Sequence, residues 1–226
     1  MNHHINIVRI KAVHNLLGEL NSRVVFVGGA TVSLYADRIT LSTRPTDDVD
    51  IIIEILNYSS RIEIEDKLRS LGFYPHVESG IICRYKIQGI TVDIIPTTPD
   101  SIGFSNKWYP EGFKNAVNVK LDENTLVKIL SSPYFIATKL EAFKSRGNGD
   151  GRISQDFEDI VFVLENRQTI WSEMNNAPKE LRKYLRKEFT RLKANPYIFE
   201  WIDCHTELGS PPNASFILIE IEKFIK

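Results

Sequence analysis

In Thr46-Asp47-Asp48-Val49-Asp50-Ile51-Ile52-Ile53-Glu54, two carboxylates stand two residues apart, at Asp48 and Asp50, within a β-branched run. On a strand, side chains two apart share a face, so Asp48 and Asp50 point one way while Val49, Ile51 and Ile53 point the other. Val92-Asp93-Ile94-Ile95 repeats the pattern with a single acid, on a segment able to lie beside the first in one sheet. Three partly buried carboxylates repel one another and gain proton affinity unless a cation neutralises them; clustered hard oxygens of this kind suit Mg²⁺ or Mn²⁺. Two such ions about 3.5–4 Å apart would clamp the attacking and leaving oxygens of a phosphoryl displacement. A solvated strand end is the competing reading. It suits Asp47 and Asp48, but Asp50 and Asp93 less well, because isoleucines that should be buried follow each of them.

The elements that must hold these acids follow from the patterning. An amphipathic helix is expected over Ile5 to Leu20. Val24 to Val27, then Gly28-Gly29, then Ala30 to Tyr35 reads as strand, tight turn and helix. Such a turn offers unblocked backbone N–H groups and a positive dipole end to a polyphosphate, although taken alone it reads first as an ordinary connection. Asp48 to Ile55 forms the second strand, and Ser60 with Glu63 makes a capping-box spacing for a helix ending near Gly72. Ile81 to Ile87 and Ile90 to Ile95 form an antiparallel hairpin about Gln88-Gly89. Thr97 to Asn115, with Pro99, Gly103, Pro110 and Gly112, is expected to be a loop, in which Trp108 and Tyr109 would pack on the surface or stack on a base. Strands resume at Val117 to Leu121 and Leu126 to Leu130.

The second half is helical. Ser132-Pro133 opens one helix, Ser154 caps another, and further helical patterns cover Pro178 to Lys193, Pro196 to Asp203 and Ser215 to Lys226. The expected class is therefore α+β: a mixed sheet with flanking helices over 1–130, then a helical lobe over 131–226 that completes a cleft. Lys179, Arg182, Lys183, Arg186, Lys187, Arg191 and Lys193 give one helix a basic face, which reads as a solvated surface or as a holder of RNA phosphates.

Across 226 residues, 42% are apolar and 25% charged, enough for a substantial core. Lys and Arg number 28 against 29 Asp and Glu, which argues against disorder and excludes a wholly basic nucleic-acid coat. No apolar run approaches the ~20 residues of a membrane span, and the first residues lack a secretory layout, so a cytoplasmic protein without a membrane partner is expected. Cys83 and Cys204 lie far apart with no C-x-x-C partner, which implies buried thiols rather than a disulfide or zinc site.

Taken in order, Val27-Gly28-Gly29, Thr46-Asp47-Asp48-Val49-Asp50 and Val92-Asp93-Ile94 resemble the glycine-pair, D-x-D and third-carboxylate pattern of the DNA polymerase β-type nucleotidyltransferase superfamily. Ala137-Thr138-Lys139-Leu140-Glu141-Ala142-Phe143, Arg146 and Ser154-Gln155-Asp156-Phe157-Glu158-Asp159-Ile160 are similar to the K-L-x-A and D-x-x-D-I elements of the AbiEii/AbiGii toxin nucleotidyltransferases. The resemblance covers roughly residues 24 to 165, and the ordered combination is far more specific than any one element. It implies that Asp48, Asp50 and Asp93 bind Mg²⁺ or Mn²⁺ and that Gly28 and Gly29 hold the triphosphate of an NTP. It further implies that Lys139 neutralises phosphate charge while Asp156 or Asp159 supports the site. Read locally, Lys139 and Asp159 are solvated helix positions and Asp156 an acid in a first turn.

Two departures stand out: Gly29 replaces the serine usual after the first glycine, and Gly29 to Asp48 exceeds the common interval of about ten residues. The implied activity is transfer of an NMP to RNA such as tRNA, or to protein, by a toxin with a cognate antitoxin. A small-molecule, antibiotic-type nucleotidyltransferase and an inactive nucleotide-binding module are the alternatives.

Overall fold

The computed structural model describes residues 2–37, 43–55, 58–97, 106–207 and 213–226. These pack as two compact units, one drawn from Met1–Leu34 and Leu41–Ser131, the other from Tyr35–Thr40 and Ser132–Lys226.

In the first unit, helix α1 (Asn2–Leu16) buries Ile10 and Val13 and gives way at Gly18, φ +53, to a 3₁₀ turn over Gly18–Arg23. Strand β1 (Val24–Val27) is buried at all four residues. The helix expected after Gly28-Gly29 is a 3₁₀ helix, Gly29–Tyr35, because the Thr31 N–H and hydroxyl both donate to the Gly28 carbonyl three residues back. Strand β2 is Asp48–Ile53. Its approach is tied to α1: the Arg9 guanidinium donates to the Thr46 carbonyl, and the Asn6 side chain bonds both Thr46 and the Arg44 carbonyl.

Helix α2 (Tyr58–Ser70) begins before Ser60, which lies in its first turn rather than capping it; neighbouring polar residues leave such a boundary loosely specified. Its end is sharply specified. Gly72 takes φ +89, and the Phe73 and Gly72 N–H groups donate to the Leu68 and Arg69 carbonyls, a Schellman closure. Strand β3 is only Tyr74–Pro75, and β4 (Arg84–Ile87) and β5 (Ile90–Pro96) form the expected hairpin. Its turn has φ +46 at Gln88 and +80 at Gly89, matching the right-handed twist of the strands. The expected strand start at Ile81 is not strand; pairing begins at Arg84.

Within the expected loop, 98–105 lie outside the described residues, whereas Tyr109–Lys114 form helix α3 with Pro110 in its first turn, where a missing N–H costs nothing. Strands β6 (Val117–Lys120) and β7 (Leu126–Ile129) follow. Among the described residues seven strands make one mixed sheet, ordered β3-β4-β5-β2-β1-β7-β6, with β2–β5 and β1–β7 parallel and the other pairs antiparallel. The mixed sheet with its many helices makes the protein α+β.

The second unit is helical: α4 (Ser132–Arg146), α5 (Gln155–Asn166), α6 (Ile170–Asn175), α7 (Lys179–Lys193), α8 (Ile198–Asp203) and α9 (Ala214–Ile225). The Ser154 hydroxyl accepts from the Phe157 N–H and caps α5 as its spacing predicts. Phe143, Phe157 and Trp201 pack with ring centroids 5.2–5.9 Å apart, and Gly151 is needed because a Cβ there would stand 2.7 Å from the Trp201 ring. Helix α7 buries Leu181, Tyr184, Leu185, Phe189 and Leu192. Tyr35 packs on Phe135 at 4.5 Å. The Asp37 N–H donates to the Asn166 carbonyl, and the Asp37 carboxylate accepts from the Gln168 N–H and faces Arg167.

Among the described residues no helix is long and apolar enough to cross a membrane. Neither cysteine is fully buried: Cys83 is half-buried, and Cys204, at the open C-terminal end of α8, is exposed.

Ile51 is fully buried on the central strand β2. Ile51→Val should cost about 0.5–1.5 kcal/mol and Ile51→Ala about 2–5 kcal/mol in urea unfolding, since the second leaves a cavity that flanking strands cannot close. Equal losses would contradict a close-packed sheet.

Candidate active site

In the parallel pairing of β2 and β5, Asp50 stands opposite Asp93 and Asp48 opposite Thr91. Register partners point to the same face, so the three predicted carboxylates share one face of the sheet. The alternate residues Val49, Ile51, Ile53, Val92 and Ile94 are buried on the other. Asp93 is buried, and Asp48 and Asp50 are half-buried.

Gly28 is bound to this arrangement by contact. It follows Val27, which pairs with Asp50, its φ is +72, and a Cβ there would lie 1.9 Å from Asp50 Oδ2. Only glycine lets the backbone come this close to the carboxylate. Gly29 has no such backbone requirement; a Cβ there would meet the tip of Arg44 at 2.6 Å.

A residue that sequence reasoning passed over completes the face. The hairpin sets Arg84 of β4 opposite Asp93. Arg84 Nε donates to Asp93 Oδ1 at 2.7 Å, and Nη2 donates to Asp93 Oδ2 at 2.7 Å and to Asp48 Oδ2 at 2.9 Å. The hydrogen bonds to Asp93, followed by the charges of Asp93, Asp48 and Asp50, outweigh partial burial and hold the guanidinium above its ordinary range. Next to it, burial and then the Asp93 charge push the Cys83 thiol up to about 11, so it is protonated at neutral pH.

The donor chemistry of the three carboxylates fits a hard divalent cation, and Arg84 shows that Asp48 and Asp93 turn their oxygens to one positive centre. Among the described residues, no three His, Cys, Asp or Glu side chains converge as a ready-made metal cage.

In the second unit, Lys139 is 5% exposed and Asp159 2% exposed, so neither is the solvated helix position that local context predicts; Asp156 is the expected acid in the first turn of α5 and is 3% exposed. Lys139 Nζ lies 3.1 Å from Asp156 Oδ1 and 2.6 Å from Asp159 Oδ2. Arg146 clasps Asp156 from outside, Nε to Oδ2 at 2.7 Å and Nη2 to Oδ1 at 2.9 Å. Burial alone would push the Lys139 ammonium down, but the Asp159 and Asp156 charges overcome it and hold its pKa above the ordinary lysine value. Burial likewise opposes ionisation of Asp156, yet the Arg146 hydrogen bonds and the Lys139 charge leave its carboxyl below the usual aspartate value. Trp108 is half-buried before α3, and Tyr109 is the first residue of that helix.

Residues 13–200 match the family described as nucleotidyl transferase AbiEii toxin, type IV TA system. The chain belongs to the AbiEii family. All the residues singled out above, from Gly28 to Asp159, fall inside the matched span of this AbiEii chain. No curated protein matches it.

Gly28→Ala should lower stability by about 1–3 kcal/mol in chemical denaturation, from the positive φ together with the Asp50 contact. Gly29→Ser should cost under about 1 kcal/mol, because the end of a long side chain can move aside.

Because the folded-state pKa of Asp156 is depressed, its stabilisation is present above the unfolded value of about 3.9 and is lost as pH falls through the folded value. Asp156→Asn should therefore cost about 1.5–3 kcal/mol at pH 7 and flatten the acid limb of Tm against pH below about 4. An acid limb as steep as the parent's would exclude Asp156 as its source.

Proposed function

We propose that this AbiEii chain moves a nucleoside monophosphate from an NTP to an acceptor hydroxyl, with release of pyrophosphate, as the toxin partner of a cognate antitoxin. The observation that carries the reading is the register placing Asp50 beside Asp93, with Asp48 on the same face and Gly28 against Asp50. Asp48, Asp50 and Asp93 would hold Mg²⁺ or Mn²⁺, whose chemistry is to neutralise the triphosphate and the charge developing on the leaving group. Backbone N–H groups at Gly28 and Gly29 hold phosphate oxygens. Asp93 takes the proton of the acceptor hydroxyl as its oxygen bonds to the α-phosphorus; the bond from that phosphorus to the bridging oxygen breaks, and pyrophosphate leaves. In the second unit, Asp156 and Asp159 hold the Lys139 ammonium charged.

RNA, tRNA included, is the proposed acceptor class. Its support is the row Lys179, Lys183 and Lys187, four residues apart on α7 and exposed. The neighbouring arginines serve packing: Arg182 and Arg186 donate to Asn175, and Arg186 also lies over the Phe224 ring. The informative variant is therefore charge reversal of the three lysines, expected to weaken tRNA binding at least about tenfold and to reduce its salt dependence; unchanged affinity would remove α7 from the acceptor surface.

The direct test is label transfer from each radiolabelled NTP with Mg²⁺ and total RNA, parent against Asp48→Ala/Asp50→Ala. Labelled RNA that falls at least about 10²-fold in the double variant supports the reading. Label only on a small molecule or on protein would replace the acceptor, and NTP binding without pyrophosphate release would leave a nucleotide-binding module.

A further inference from the structure

We propose that Arg84 is an exchangeable counter-cation: its guanidinium holds the Asp93 and Asp48 oxygens on which a divalent cation would bind, and the cation binds as Arg84 lets go. This rests on the reading of Asp48, Asp50 and Asp93 as a cation site. Both oxygens of Asp93 and one of Asp48 are engaged by the same guanidinium, through three hydrogen bonds of 2.7–2.9 Å. A merely structural ion pair needs one acid; Arg84 bridges two acids from two strands, the third carboxylate and the first acid of the D-x-D pair.

The backbone of Arg84 is fixed and its side chain has somewhere to go. Its N–H donates to the Ile81 carbonyl, and its carbonyl accepts from the His76 N–H at 2.8 Å. The side chain keeps 22% of its surface open to solvent, so release is a rotation of the arginine stem rather than a break in the sheet. A doubly charged ion is attracted to the Asp93 and Asp48 oxygens more strongly than a single charge is, and outcompetes the guanidinium for them. Arg84 then sets the apparent metal affinity, since only the fraction with the arginine swung away is competent to bind.

The test is calorimetric titration of Mn²⁺ into the full chain, with thermal midpoints in EDTA and in Mn²⁺. Arg84→Gln should bind Mn²⁺ about tenfold more tightly or better, melt below the parent in EDTA and gain more from Mn²⁺ than the parent does. Arg84→Lys keeps the charge but loses the fork, and should tighten binding by a smaller factor; it carries the comparison should Arg84→Gln not fold. Lys86→Gln, two residues along β4, controls for loss of any nearby positive charge and should leave the affinity within about twofold. Equal Mn²⁺ affinity in the parent and a folded Arg84 variant, or equal tightening by Lys86→Gln, overturns the exchange while leaving nucleotidyl transfer standing. No Mn²⁺ binding by either the parent or the Arg84 variants overturns the cation site itself, and the exchange with it.

Discussion

Carboxylates at neighbouring register positions on one sheet face repel one another, and a sheet that carries them holds only where donors and positive charge reach that face. Here the supply is geometric. The two-residue turn at Gln88-Gly89 pairs Ile87 with Ile90, and counting back along the hairpin sets Arg84 opposite Asp93. The parallel pairing of β2 with β5 then brings Asp50 level with Asp93. A slip of one residue in either pairing would turn an acid into the apolar layer formed by Val49, Ile51, Val92 and Ile94. The hydrophobic side of the sheet thus fixes the position of the charges on its other side.

The second unit meets the same constraint in helices. Lys139 and Asp156 come from α4 and α5, and Asp159 lies one turn beyond Asp156, so an ammonium is enclosed by two acids while Arg146 closes over Asp156. Each buried charge there is matched before it leaves water, as it must be for a helix pair to enclose it. In both units the charged groups are held in place by packing, and the packing in turn tolerates them because they are paired.

Much of this was legible in the sequence where local pattern dominates. The all-β-branched and aromatic Val24–Val27, the alternation from Asp48 to Ile53 and the glycine turn at Gly89 each specify their element within a few residues. The Ser154 cap did so for α5. What escaped depends on distant partners. Arg84 sits in Arg84-Tyr85-Lys86-Ile87, which alone reads as a strand with solvated cations; its meaning comes only from the register against Asp93. Lys139 misled for a related reason, because Ser132 to Leu140 is buried around the whole helix and has no polar stripe to mark an inward lysine as unusual. Helix α3 escaped because it contains Pro110 and Gly112, which read as loop residues when their neighbours in space are unknown.

The family likeness in the sequence, the glycine pair and the spaced acids, is a likeness of positions, and the structure supplies what those positions share: Gly28 exists to let Asp50 in. At the last residue of the Gly29–Tyr35 helix the chain changes allegiance, with Tyr35 packed on Phe135 and Asp37 stitched to Asn166, Arg167 and Gln168. A few residues of the first half are therefore part of the helical body. No single scission of the polypeptide yields both bodies whole: cut after the sheet, and the helical fragment loses the aromatic plug beside Phe135 and the acid facing Arg167. The connectivity makes the protein topologically inseparable, so gene-level dissection of the two bodies needs either the whole chain or a graft of that short segment.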